Sequence, residues 1–155
     1  MKCADFRVKM ILSKENLKLG VIDTLTGGLL TRDLIDAGFG DLISANLHSI
    51  DVSAALQKAG LASQADAWDG DYHSLSMDLA EAISPPNGVG IALVGPFKDN
   101  STFIALWGPR EMRLTKAGRN YQDSEYIRSW LAIQGLDWIR RAVLGQLTSP
   151  ADWKE

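Results

Sequence analysis

Asp23, Thr24 and Thr26 share one short stretch with a glycine pair, Asp23-Thr24-Leu25-Thr26-Gly27-Gly28. Two hydroxyls and a carboxylate beside adjacent glycines are the parts of a turn that holds an anion or an oxyanion. A hydroxyl becomes a nucleophile once a neighbouring base takes its proton. Glycines let a ligand approach the backbone, and the free N–H groups of a helix start favour negative charge. Thr24 and Thr26 add hydroxyls, and Thr26, Gly27 and Gly28 are the candidate anion cradle. The plainer reading is an ordinary turn with Thr26 as the helix cap. His48 carries an imidazole, a group that pairs naturally with hydroxyls. Its plainer reading is a histidine bonded to backbone at a strand end. Two histidines and one cysteine, widely spaced, make no metal-site pattern, and neither metal nor cofactor is expected. Asp69 and Asp71 at alternate positions are a weak cation signal, and His73 beside them reads as a solvated loop residue.

The elements that must position these groups follow from hydrophobic spacing. Leu19–Asp23 is short, apolar and β-branched, and Leu29, Leu30, Leu34 and Ile35 carry helical spacing. A strand thus runs through the Thr-Gly-Gly turn into a helix over about 26–37, which Gly38 and Gly40 stop. An amphipathic helix is expected over 4–16 and a second strand over 42–47. Asp51 caps a helix that Gly60 ends, and residues 62–72 read as loop. Ser74 caps the next helix, through Ile83, and Pro85-Pro86-Asn87-Gly88 breaks the chain. Val89–Val94 and Thr102–Trp107 are continuous apolar runs, the mark of strands buried on both faces. Glu111–Thr115 is a further strand. A long helix from Asn120 or Asp123 to about Leu147 has Ile127, Leu131, Trp138, Ile139 and Val143 as its core stripe, with Gly135 marking close packing. The fold class is α/β: a three-layer α/β/α sandwich on a mixed, about five-stranded sheet. A single domain spans 4–147, followed by a tail over 148–155.

Composition narrows the function classes. The chain has 155 residues, 46% apolar and 23% charged, as expected for a globular domain with a proper core. A net charge of -3 argues against general nucleic-acid binding. No stretch is long enough to span a membrane, and Met1–Arg7 does not read as a signal peptide, so the cytoplasm is the expected compartment. Cys3 has no disulfide partner within the chain. Lys98, Arg110, Arg113, Lys116 and Arg119 read as a charged hairpin edge, or as a surface for a phosphate or an acidic partner. Of the five tryptophans, Trp107, Trp130 and Trp138 take core-facing positions, while Trp68 and Trp153 are candidates for an interface.

These blocks, in this order, resemble the C-terminal domain of the CinA (competence-damage-inducible) proteins and the stand-alone nicotinamide-nucleotide amidases. That family carries a strand followed by Glu-Ser-Cys-Thr-Gly-Gly and a helix, where this chain has Ile22-Asp23-Thr24-Leu25-Thr26-Gly27-Gly28-Leu29. It has a second loop of the form Gly-Ile-Ala-Gly-Pro, where Ile91-Ala92-Leu93-Val94-Gly95-Pro96 stands here. It ends on an aspartate-led helix of the type Asp-Arg-x-x-Ile-Arg, matched by Asp123-Ser124-Glu125-Tyr126-Ile127-Arg128. The resemblance covers about residues 4–145. It implies an α/β/α sandwich, and it adds Gly95 and Pro96 to the candidate binding residues. It also implies hydrolysis of the nicotinamide mononucleotide carboxamide by a Ser-Lys-Tyr arrangement, with backbone N–H groups holding the oxyanion.

The chemistry departs from that pattern. The serine position is Thr24, its cysteine neighbour is Leu25, and the glutamate is Asp23. The family's Tyr-x-x-x-x-Lys segment corresponds to Asn46–Ala55, which holds neither residue. One register places His48 and Ser53 at those positions, another Ile50 and Ala55. General base catalysis alone supplies about 10²–10⁴-fold, so losing both proton-transfer partners removes most of the rate. The reading preferred is a diverged, catalytically silent relative that keeps a cradle for a small nucleotide or anion. One alternative is an active amidase using Thr24 with His48. Another is an assembly protein whose pocket is filled by side chains such as Leu25. A homo-oligomer, most simply a dimer, is expected, with no nucleic-acid or membrane partner.

Overall fold

The computed structural model describes residues 18–48, 51–61, 71–86, 88–108, 112–118 and 124–143, with the backbone alone at 112–118 and 142–143. The expected helix over 4–16, Cys3, most of the loop over 62–72 with Trp68, the tail with Trp153, and Arg110, Arg119 and Asp123 lie outside the described residues.

Strands β1 (Leu19–Asp23), β2 (Ile43–His48), β3 (Val89–Val94), β4 (Thr102–Trp107) and β5 (Met112–Gly118) form one sheet in the order β2-β1-β3-β4-β5. β1 runs parallel to both β2 and β3, and β3–β4 and β4–β5 are antiparallel. The sheet is mixed and five-stranded, as the apolar runs implied. Helices α1 (Leu29–Asp36), α2 (Val52–Lys58), α3 (Tyr72–Ile83) and α4 (Glu125–Val143) complete the described elements.

Side-chain alternation divides the core in two. Val21, Ile91, Leu93, Ile104 and Leu106 meet Leu30 and Leu34 of α1 and Leu131, Ala132 and Ile139 of α4 on one face. Ile22, Ala92, Val94, Phe103 and Ala105 meet Leu56 of α2 and Leu75, Leu79 and Ile83 of α3 on the other. The result is three layers, each sheet face covered by two helices among the described residues.

Two close approaches depend on glycine. Gly20 and Gly90 sit side by side on β1 and β3. A Cβ on Gly20 would lie 1.9 Å from the Ile83 carbonyl oxygen, and one on Gly90 2.1 Å from that of Ala80. The backbone of α3 thus rests directly on the strands. On the opposite face α4 crosses α1 at Gly135, where a Cβ would lie 3.1 Å from Leu30 Cδ1.

Three local expectations are corrected, and a cap is seen at the start of α4. α1 starts at Leu29 rather than near Thr26, because Gly27 and Gly28 take φ of 66° and 94°, outside helical space. α3 is capped by Asp71 rather than Ser74; the Asp71 carboxylate accepts from the Ser74 N–H and hydroxyl, so the helix opens at Tyr72. At the start of α4 the Ser124 hydroxyl accepts from the Ile127 N–H at 3.1 Å. Trp130 is 39% exposed on α4 and is not a core residue; Leu131, Ala132, Leu136 and Ile139 carry the buried stripe.

Candidate functional site

The Thr24–Gly28 turn and the Gly95-Pro96 loop meet at the carboxyl ends of β1 and β3, the edge where open α/β sheets gather ligands. Parallel pairing of β1 with β3 aligns Asp23 with Leu93, so both chains leave the sheet together.

Thr24 is 9% exposed, and its hydroxyl both donates and accepts a hydrogen bond. It donates to the Gly95 carbonyl oxygen at 2.9 Å and accepts from the Gly95 N–H at 3.1 Å. The Thr24 N–H donates to the Leu93 carbonyl at 2.9 Å. A hydroxyl has a single hydrogen, and here it is directed at backbone.

The turn that follows is closed by its own aspartate. Asp23 is fully buried. Its Oδ1 accepts from the N–H groups of Leu25 at 3.0 Å and Thr26 at 2.8 Å, and its Oδ2 accepts from the Thr26 hydroxyl. The Thr26 oxygen in turn accepts from the Leu30 N–H at 3.2 Å, inside the first turn of α1. The N–H groups of Leu25 and Thr26 therefore already hold a carboxylate. Leu25 is 3% exposed and belongs to the core shared by α1 and α4.

His48 ends β2, paired laterally with Asp23. Its ring lies over Gly28: a Cβ there would be 3.8 Å from Nε2 and Cε1. The structure thus brings His48 to the cradle glycines, while the Thr24 hydroxyl is bonded to Gly95.

One opening adjoins Gly95. A cleft of about 500 Å³ is lined by Asp51, Val52 and Ser53 of the α2 start, Tyr72 and Leu75 of α3, and Gly95-Pro96-Phe97-Lys98. That volume falls within the range of small-molecule sites. Hydrogen bonds close its loop: the Phe97 N–H donates to the Ser101 carbonyl at 3.0 Å, and Asp99 Oδ1 accepts from the Ser101 N–H at 3.0 Å. The Gly95-Pro96 peptide is cis. Phe97 stacks on Tyr72 with ring centroids 4.3 Å apart and planes 13° from parallel. Phe103 closes the cluster edge-on to Phe97, and His73 sits edge-on to Phe103 at 4.8 Å. His73 is thus a residue of α3, not of a loop.

Electrostatics at this end of the sheet are mixed. Lys98 is exposed at one wall of the cleft and Asp51 at another. The Asp51 Oδ1 accepts from the Ala54 N–H at 2.8 Å as the α2 cap. Hydrogen bonds from the Ser74 hydroxyl and N–H hold the Asp71 carboxyl below the usual aspartate range. Among the described residues no group of three or more His, Cys, Asp or Glu side chains forms a metal cluster.

Of the candidate residues, Gly95 and Pro96 line the cleft, Thr24 lies behind Gly95, and Thr26, Gly27 and Gly28 lie in the turn closed by Asp23. Tyr72 was not legible as a site residue. It is far from Phe97 in sequence, and only the packing of α3 on β3 and β4 brings the two rings together.

No protein-family model matches the sequence, and no curated protein sequence matches it. Solved structures do resemble the fold. The competence-damaged protein (CinA) superfamily protein of Enterobacter cloacae aligns with a TM-score of 0.71 at 16% identity, over 90% of this chain and 90% of that one. Competence/damage inducible protein CihA of Agrobacterium tumefaciens gives a TM-score of 0.70 at 14% identity, over 91% and 93%. The CinA superfamily protein of Escherichia coli gives 0.65 at 16% identity, over 94% and 88%. The fold of this chain is CinA-like across nearly its whole length.

Proposed function

We propose that this CinA-like domain is a catalytically silent binding module. Its ligand, a small anionic nucleotide, occupies the cleft between the α2 start, Tyr72 and the Gly95–Lys98 loop. The observation that carries the reading is the state of the Thr24 hydroxyl. Gly95 both receives its hydrogen and donates to its oxygen. A nucleophile needs a base at that hydrogen and a free approach to its oxygen. Asp23 supports the same reading, because it supplies negative charge where an oxyanion would need donors. Ser53 and His48, which stand where the family has its proton-transfer residues in one register, are a hydroxyl and an exposed imidazole.

The cleft suits a ring carrying negative charge. Tyr72 and Phe97 give an aromatic wall, Val52, Leu75 and Pro96 add apolar surface, and Lys98 provides a cation. Titration with nicotinic acid mononucleotide, followed by backbone amide shifts, tests this. The reading expects saturable shifts at Ser53, Gly95, Phe97 and Lys98, weakened by Lys98→Ala, with Gly27 and Gly28 unmoved. Shifts confined to Gly27 and Gly28 would move the site to the threonine turn. No shift at either place would remove the binding role.

A further inference from the structure

Thr24 reaches the cleft only through Gly95. The lining includes Gly95, Pro96, Phe97 and Lys98, and Thr24 is not part of it. Gly95 is the bend on which that wall turns. Its φ is 132°, in the left-handed region that side chains avoid. A Cβ there would lie 2.8 Å from the Ser101 carbonyl oxygen and 3.0 Å from Thr102 Cγ2. Glycine is therefore required at the bend, yet glycine is also the residue with the widest choice of backbone conformations. Both of its main-chain groups are fixed by one side chain. The Thr24 hydroxyl donates to the Gly95 carbonyl oxygen at 2.9 Å and accepts from the Gly95 N–H at 3.1 Å. The next residue, Pro96, has no N–H to offer. The following anchor is Phe97, whose N–H donates to the Ser101 carbonyl at 3.0 Å and whose ring stacks on Tyr72. The wall thus hangs from two points, Thr24 at its entry and Ser101 at its far side.

We propose that Thr24 is a positioning residue for the cleft: its hydroxyl holds Gly95 in the conformation that sets Pro96, Phe97 and Lys98 to receive a ligand. The effect on affinity rests on the binding role proposed above; the placement of the wall does not. Removing the hydroxyl leaves the Phe97 anchor in place, so the loop stays folded while its entry samples other conformations. A site that is competent for only a fraction of the time binds with its affinity reduced by that fraction. An entry that is correctly set about one time in ten raises Kd about tenfold.

Backbone amide spectra and a ligand titration of Thr24→Val and Thr24→Ser, run well below the melting temperature of each variant, test this. Without ligand, Thr24→Val should move the Gly95, Phe97 and Lys98 amides and leave Ser53, on the α2 wall, in place. Thr24→Ser, which keeps the hydroxyl, should restore the wild-type positions of the loop amides. With nicotinic acid mononucleotide, Thr24→Val should raise Kd about tenfold, and Thr24→Ser should return it to the wild-type value. A loss of stability alone changes neither readout at a temperature where the chain is folded. Should Thr24→Val fail to fold, Thr24→Cys, whose thiol is a weaker donor in the same place, carries the comparison with smaller changes in the same direction. Phe97 and Lys98 amides that stay in place in Thr24→Val overturn the proposal, whether or not the ligand binds. So does a Thr24→Val variant that binds as tightly as the wild type, and so does a Thr24→Ser variant that behaves as Thr24→Val. A wild-type protein that binds no ligand, with loop amides that move as expected in Thr24→Val, overturns the binding role and upholds Thr24 as the residue that holds the wall.

Discussion

The hydroxyl of Thr24 and the backbone of Gly95 are bonded in both directions, donor to acceptor at 2.9 Å and acceptor to donor at 3.1 Å. This pair ties the turn after β1 to the loop after β3, so Thr24 acts as a structural clasp. Thr24→Val keeps the shape and removes both bonds. Leaving two buried backbone groups unsatisfied should cost about 1–3 kcal/mol, read as a lower urea midpoint at unchanged slope. Thr24→Ser, which keeps the hydroxyl, should lie close to the wild type in the same experiment.

Asp23 is the second element of that clasp. Its carboxylate accepts from two N–H groups and one hydroxyl while fully buried. Asp23→Ala should destabilise the fold by about 2–4 kcal/mol, since bonds to a charged group are the stronger kind. It should also free the Leu25 and Thr26 N–H groups. Phosphate should then raise the melting temperature of Asp23→Ala more than that of the wild type. Equal shifts would mean that Asp23 is not what fills the turn.

The paired glycines of β1 and β3 set a packing limit. Gly20→Ala and Gly90→Ala would each drive a Cβ into a main-chain carbonyl of α3, at 1.9 and 2.1 Å. Neither strand nor helix can yield without losing ladder or helical hydrogen bonds. Each substitution should cost more than about 3 kcal/mol, the range of severe core overpacking, read by denaturant unfolding. Gly27→Ala meets no neighbouring atom, and its cost is confined to its φ of 66°.

What the sequence disclosed and what it hid follow from range. The bounds of β1, β3 and β4 were legible because each is an unbroken apolar run buried on both faces, and such runs carry their own signal. The Asp51 cap was legible because capping is local. The start of α1 was not, because Asp23 reaches forward to bind the N–H groups of Leu25 and Thr26, and two glycines then leave helical space. Trp130 was misplaced because it was assigned to the core apart from the helix stripe of Ile127, Leu131, Trp138, Ile139 and Val143. The register of α4 is fixed by Gly135, which seats the helix against Leu30 and Leu93. At the site, the residue types of the Thr24–Gly28 turn could be read directly, whereas the stacking of Tyr72 on Phe97 depends on tertiary packing alone.

Asp71 gives the α3 cap a pH dependence of known sign. Its pKa lies below the ordinary 3.8 because Ser74 donates two hydrogen bonds to the charged form. Above that ordinary value the carboxyl is ionised in both the folded and unfolded chain, and the cap contributes fully. As pH falls, the unfolded chain takes up the proton first, and the contribution is lost as pH passes through the lower folded-state value. Asp71→Asn should therefore lose stability relative to the wild type at about pH 7, with the gap closing towards about pH 2. A gap that widens on acidification would refute the assignment.

The central claim is that the fold persists while hydrolysis does not, and ammonia release from nicotinamide mononucleotide measures it most directly. With the purified protein at micromolar concentration and substrate in excess, the account predicts release at the rate of the protein-free control, unchanged by Thr24→Ala. Release at an enzyme-like rate that Thr24→Ala abolishes would contradict it and make Thr24 a nucleophile.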